Sequence, residues 1–152
     1  MGIALRRATA ADVPAIVALL ADDPLARLRE DASTPLAPGY LAAFRAIDAD
    51  EKQLLAVAVD DDQVIGTLQL TFIAGISRKG ALRGLIEAVR IAQDRRSTGL
   101  GQQMVEWAIA ECRRRGCALV QLTSDNARGD AHRFWRRMGF EASHVGFKLG
   151  LD

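Results

Sequence analysis

The 152-residue chain is short of most features that would commit it to a special class. It has two cysteines, Cys112 and Cys117, too few for a disulfide framework. With two histidines and no Cys/His cluster at ligand spacing, no metal is expected. No apolar run approaches the ~18 residues of a membrane span, and no signal-peptide pattern opens the chain. An excess of one charge is missing too: 20 basic against 19 acidic residues leave a formal net charge of +1. No global field therefore draws the chain to nucleic acid or to an anionic membrane. The arginines at 95–96, 113–115 and 136–137 lie on separate elements with few aromatics between them. That pattern suits a solvated surface or phosphate contacts better than RNA. A cytoplasmic protein is expected.

What is present is an ordinary globular balance, 49% hydrophobic and 26% charged, in a length that makes a single domain over 1–152. Residues 3 to 8 read as a first strand. Thr9, with Asp12 three residues on, looks like a capping box that opens a helix over about 10 to 21. "LARLRED" and "PGYLAAFRAID" are two helical pieces broken by "STPLAP". "QLLAVAV" (53 to 59) and "VIGTLQLTFI" (64 to 73), joined by an acidic turn, form a hairpin. The basic loop "GISRKGALRG" (75 to 84) is expected beside an acceptor mouth or at a dimer contact. A strand "LIEAVRIA" (85 to 92) and a helix over 99 to 115 follow it. The helix rests on Leu100, Met104, Val105, Ala108, Ile109 and Cys112, which share one face. "ALVQLT" (118 to 123) is a strand and "AHRFWRRM" a short helix, and "FEASHVGFKL" is expected to close the sheet as a last strand. Cys112 and Cys117 read as small core residues, Trp107 and Phe134 as core packing.

The stretch "QDRRSTGLGQQ" (93 to 103) places small polar residues and glycines where a strand ends and a helix begins. There the unpaired backbone N–H groups and the helix dipole make an anion site. It is not a P-loop, since no lysine follows, and it lacks the third glycine of a dinucleotide fingerprint. What stands is R-x-x-G-x-G, Arg96 to Gly101. About 25 residues further on comes "SDNARGDAHRFWRRMGFEASH". Together these resemble the GNAT superfamily of acyl-CoA-dependent N-acyltransferases, well from about residue 50 onward and loosely before it. The tail is most similar to a subgroup that includes aminoalkylphosphonate N-acetyltransferases.

The resemblance implies an α/β fold with a mixed, mostly antiparallel central sheet, helices on both faces, and two splayed strands that cradle acyl-CoA. It implies acetyl-CoA as cosubstrate, a small-molecule amine as partner, and a homodimer as one form of assembly. The coenzyme pyrophosphate would sit on Arg96, Ser97, Thr98, Gly99, Leu100, Gly101 and Gln102. The pantetheine arm would pair with Val89, Arg90 and Ile91, and Asn126 would contact it. Glu87, an acid in an otherwise apolar strand, is the expected base that deprotonates the amine, with a salt bridge to Arg83, Arg90 or a lysine as the bland alternative. Trp135 stands where many members carry a tyrosine acid, and an indole N–H is no practical acid. Trp135 then packs on the coenzyme arm, and His132 or Ser124 takes the acid's place, or the thiolate leaves unassisted. Three readings of function follow: a small-molecule N-acetyltransferase, a protein or peptide amine acetyltransferase, and a non-catalytic acyl-CoA-binding regulatory module.

Overall fold

The computed structural model describes residues 2–26 and 28–151. Five strands form one sheet in the order β1-β2-β3-β4-β5, running as Ile3–Arg7, Gln53–Asp60, Gln63–Ile73, Arg83–Ile91 and Leu119–Gln121. The first three pairings are antiparallel, and β4 with β5 is parallel. Along β2 the alternation of strand side chains divides the apolar residues between two cores. Leu54, Ala56 and Ala58 face one core, while Val57 and Val59 face the other.

Helices α1 (Val13–Ala21) and α2 (Pro38–Asp48) cover the second core, through Val13, Ile16, Val17 and Phe44. Helix α4 (Leu100–Arg114) covers the first, with Leu100, Met104, Val105, Ala108 and Cys112 buried as the sequence periodicity requires. Burial of side chains the size of Leu100, Met104 and Val105 contributes about 1.5–3 kcal/mol each. Gly84 on β4 lets α4 come close, since a Cβ there would collide with the Cys112 sulfur. Burial, with Cys117 alongside, pushes the Cys112 thiol up to about 12, so it behaves as a small apolar side chain. A last helix, α5 (Gly129–Arg137), follows β5.

Two expectations need correction, for "LARLRED" and for the final segment, and the basic loop stands as a loop. "LARLRED" folds as isolated turns, with Arg27 outside the described residues; Asp23 accepts the Leu25 backbone N–H at 3.0 Å and starts a turn instead of a helix. The basic loop contains one turn, α3 (Ser77–Gly80), with Arg78 and Lys79 in left-handed conformation. It enters β4 at Arg83, the end opposite to Ile91. The final segment, residues 141–151, joins no strand of the sheet and is exposed throughout.

The N-terminal turn holds as the capping pattern suggests. The Asp12 carboxylate accepts the Thr9 backbone N–H at 2.7 Å and a two-armed contact from Arg6 at 2.7 and 3.1 Å, which ties β1 to α1. The Arg6 guanidinium holds the Asp12 carboxyl below its ordinary range, against the opposing effect of burial. A depressed carboxyl contributes stability that is full above its unfolded pKa and is lost as pH falls through the folded one. Resistance to denaturant should therefore decline below about pH 4. Asp12→Asn should cost about 1.5–3 kcal/mol at pH 7 and flatten that decline. Urea titrations at pH 7 and pH 3.5 check both.

Candidate active site

The site begins with a fault in β4. Gly84 and Ile86 face α4, and so do Val89 and Ile91, so the alternation slips by one residue between them. Ala88 occupies the slip with φ 53°, and the β3 pairing shifts between Thr67 and Gln69. This is a β-bulge, which bends the bulged strand and increases its twist. On the other side of β4, pairing with β5 stops at Leu85–Gln121. Among the described residues no strand lies on the β5 side of β4 from Ile86 to Ile91, so the two strands splay. The Val89 carbonyl accepts a hydrogen bond from its neighbour's side chain, Arg90 Nη1, at 2.9 Å.

Glu87 lies just before the bulge on the face away from α4 and is exposed. Among the described residues it has no ion pair, so the salt-bridge alternative has no support. Arg90 lies just after the bulge on the same face, and its partner is Asp23 at 3.2 Å. Asp23 also receives Arg128, which stands immediately before α5. Burial alone would raise the Asp23 carboxyl, but Arg128, the Leu25 N–H and the Arg90 charge together hold it below its ordinary range. One buried carboxylate thus joins the end of α1, the splayed part of β4 and the start of α5. Among the described residues the Arg90 Nε is buried without a partner, as is the Ser124 hydroxyl on the chain leaving β5.

Past β4 the chain makes a 3-10 turn over Gln93–Arg95 and a further turn at Arg96–Ser97 before it enters α4. Arg95 pins the turn to the end of β2 through Asp60 at 2.6 Å, and Thr98 Oγ1 donates to the Arg95 carbonyl at 2.6 Å. Ser97 and Gly99 both have positive φ, 61° and 87°. Only Gly99 does so without strain, and no atom lies within 4 Å of where its Cβ would be. The first helical bond runs from the Gln103 N–H to the Gly99 carbonyl at 3.1 Å. The N–H groups of Leu100, Gly101 and Gln102 are therefore the free donors of the helix start. The Leu100 side chain is core, and that of Gln102 bonds Glu106, so both residues offer a ligand only their backbone. Arg96 is half-exposed, 4.0 Å from Asp22. A cleft of about 290 Å³ opens there, between Gln93 and Arg96 on one wall and Ala21 to Pro24 on the other.

The remaining expected residues divide. Asn126 is exposed in the turn after β5, held by Asp125, which accepts the Ala127 N–H at 2.8 Å. His132 Nε2 lies 2.8 Å from the Asp125 carbonyl, so this ring fixes the turn that carries Asn126. Trp135 sits edge-on between Phe134 and Phe140, with ring centroids 5.0 and 5.4 Å away, packed on the α4-side core. Sequence reasoning missed Asp23 and Arg128, and it read Arg95 as a solvated or phosphate-contacting residue, whereas the structure pairs it with Asp60. The aspartate and Arg128 are 105 residues apart, and only the turn composition around each gave any signal.

Gly101 also serves another purpose than its motif suggests. Its absent Cβ would point inward, 3.0 Å from Ile91 Cδ1 and 3.6 Å from the Phe134 ring. The glycine allows α4 to pack against β4 and α5 while its N–H stays outward. Gly101→Val should therefore overpack this junction and cost about 1–3 kcal/mol without any ligand present. A thermal melt of the ligand-free variant checks it.

Residues 16–140 match the model of the acetyltransferase (GNAT) family. The chain is 27% identical over 147 residues, 97% of its length and 90% of the relative's, to an aminoalkylphosphonate N-acetyltransferase of Salmonella typhimurium. A transcriptional regulator from Bacillus halodurans, solved by crystallography, is 41% identical and superposes with a TM-score of 0.97 over 99% of this chain and all of that one. The fold alone is shared with glucosamine-6-phosphate N-acetyltransferase from Arabidopsis thaliana, at 18% identity and TM-score 0.81 over the whole of both chains. A bulged and splayed β4 leading into free helix-start amides, with a family match over most of the length, makes the chain a member of the GNAT acetyltransferase family, an acyltransferase.

Proposed function

We propose that the chain transfers the acetyl group of acetyl-CoA to a primary amine of a small molecule, in the cytosol, by direct attack of the neutral amine. The observation that carries this reading is the split between β4 and β5, which opens beside the free amides of α4 with Glu87 at its edge. The family generally uses acetyl-CoA, which supplies a thioester activated for acyl transfer. The residues present fit it. Leu100, Gly101 and Gln102 have unspent N–H donors at the positive end of a helix, Gly99 leaves open space, and the Ser124 hydroxyl lacks a partner. Arg96 to Gln102 would hold the pyrophosphate. The open edge at Val89, Arg90 and Ile91 would hold the arm through backbone groups, with Asn126 across the split.

Glu87 accepts the ammonium proton, directly or through water, which frees the lone pair for attack on the acetyl carbonyl carbon. The new C–N bond forms as the C–S bond breaks, and the second proton of the nitrogen leaves to water to give the neutral amide. Among the described residues no further carboxyl or free imidazole stands ready for the leaving sulfur: Trp135 is packed edge-on between two phenylalanines, and the His132 Nε2 is engaged. Ser124 can donate a hydrogen bond there, and water supplies the proton, which a thiol of pKa near 8.5 tolerates. The two N-acetyltransferase relatives are named for amines that also carry a phosphorus oxyanion. Arg90 and Arg128, with one carboxylate between them, leave a net positive charge beside Glu87, which supports an acceptor of that anionic class.

A second reading is favoured by one observation, the description of the 41%-identical structure as a transcriptional regulator. In it, acyl-CoA occupancy is sensed and no amine is turned over. An amine-panel assay with acetyl-CoA separates the two, and a peptide arm tests macromolecular acceptors. Acetylation of an aminoalkylphosphonate or amino-sugar phosphate is the expected result, and no turnover of any amine would leave the regulatory reading. At 100 times its dissociation constant, acetyl-CoA should add about 2.7 kcal/mol of stability, read as a rise in melting temperature. Glu87→Gln should slow turnover most at neutral pH and recover toward the amine's own pKa, where free amine is abundant. A pH–rate profile like the wild type's would remove Glu87 as base.

A further inference from the structure

The sheet face that carries Glu87 holds a row of three residues in register. Leu55 on β2 pairs with Gln69 on β3, and Gln69 pairs with Glu87 on β4. Residues paired in this way on one face stand with their Cβ atoms about 4.5–5.5 Å apart. Leu55 packs on the core under α1 and α2, and Glu87 is exposed. Gln69 is half-buried between them, at the boundary between that core and the base.

The hydrogen bonds of Gln69 are used on one side only. Its Nε2 donates to Gln53 Oε1 at 3.1 Å, and the same oxygen accepts Thr71 Oγ1 at 3.0 Å. This ladder holds the amide by its nitrogen and leaves its carbonyl oxygen uncommitted. Among the described residues no donor reaches Gln69 Oε1, and it is not one of the atoms sealed from solvent without a partner. A cavity of about 150 Å³ opens beside it, and the polar side chains lining that cavity among the described residues are Tyr40 and Gln69. The Tyr40 hydroxyl is spent, because it donates to Glu30 at 3.0 Å and accepts the Asp31 N–H at 2.8 Å. The Gln69 oxygen is not. Glu87, one pairing away, likewise has no ion pair among the described residues. Two acceptors side by side with no donor between them suit a ligand that brings several N–H groups at once. A primary ammonium brings three.

We propose that Gln69 is a second ligand of the acceptor amine, its carbonyl oxygen accepting one N–H while Glu87 takes the proton that is lost. The inference rests on the acetyltransferase reading above and adds to it a residue that selects and positions the nitrogen. Glu87 loses its attraction once it is protonated. A neutral oxygen holds an N–H in the ammonium and in the free amine alike, so the nitrogen stays in place for attack on the acetyl carbon. Of the three ammonium protons, one goes to Glu87 and one leaves to water after attack. The one held by Gln69 remains as the N–H of the amide product.

Steady-state kinetics with saturating acetyl-CoA and aminoethylphosphonate as the varied amine test it. Gln69→Met keeps the length of the side chain and removes the oxygen. It should lower kcat/KM for the amine about tenfold or more, the size of one hydrogen bond to a charged group. Coenzyme affinity by calorimetry and the melting temperature should stay at wild-type values. Gln69→Glu retains an acceptor oxygen at the same reach, and its kcat/KM should remain within about threefold of the wild type. Ethylphosphonate, the same molecule without its nitrogen, should inhibit the wild type and Gln69→Met equally, since it has no N–H to lose. In the wild type, with no variant needed, the side-chain amide signal of Gln69 in nitrogen-15-labelled protein should shift with aminoethylphosphonate and not with ethylphosphonate. Unchanged amine kinetics in Gln69→Met, weaker inhibition of that variant by ethylphosphonate, a loss in Gln69→Glu as large as in Gln69→Met, or a Gln69 signal that ignores the amine would each overturn this inference alone. A wild type that turns over no amine would overturn the acetyltransferase reading, and this inference with it.

Discussion

The bulge at Ala88 is the constraint on which the site depends. One residue too many in β4 shifts its alternation, so that Ile86 and Val89 both pack toward α4 while Glu87 and Arg90 both reach the opposite face. In a regular strand Glu87 and Arg90 would lie on opposite faces, and one of them would face the α4 core. The same slip bends β4 away from β5 after Leu85 and leaves a row of backbone groups without a sheet partner. Backbone polar groups are costly to leave unpaired away from water. An arm with amide groups of its own, or water, must meet them.

The splay would be loose if its two sides were not tied. Asp23 is the tie, because it is buried between Arg90 on β4 and Arg128 ahead of α5 and belongs itself to the turn that ends α1. Loss of one member would leave a buried charge without its partner, a more expensive state than never having had the group. At the other end of the split, Arg95 on Asp60 and Thr98 on the Arg95 carbonyl set the path into α4. The path passes through two left-handed residues, and the strained one, Ser97, is held there by its neighbours. Rigid surroundings with an open, unpaired centre suit a ligand that is bound by backbone.

Much of this was legible in the sequence, for reasons that can be named. The helix over 99 to 115 and the hairpin of β2 and β3 have strong periodicity, and both stand within a residue or two of their expected ends. The R-x-x-G-x-G stretch marked the helix start, although Gly101 turns its missing side chain inward and only Gly99 requires its left-handed backbone. The bulge was not legible, because alanine carries no turn signal and the apolar run continues through it. Asp23 was not legible because its meaning depends on residues far away in the chain. "LARLRED" reads as helix by propensity, and a side-chain bond from Asp23 to the Leu25 N–H wins over that propensity. The alternation in the final segment reads as a strand, but the structure joins that segment to no strand of the sheet.

The most direct test of the account follows backbone amides one by one while acetyl-CoA is added to nitrogen-15-labelled protein. Binding carried by the splay and the helix start predicts the largest shifts at Val89 to Ile91 and from Arg96 to Gln102, with a smaller response at Ser124. A second cavity, of about 150 Å³, lies between α1 and α2 and is lined by Ile16, Phe44 and Leu55. Shifts concentrated there, with the amides of Gly99, Leu100 and Gly101 unmoved, would contradict the claim that the bulged strand and the α4 N-terminus form the coenzyme site.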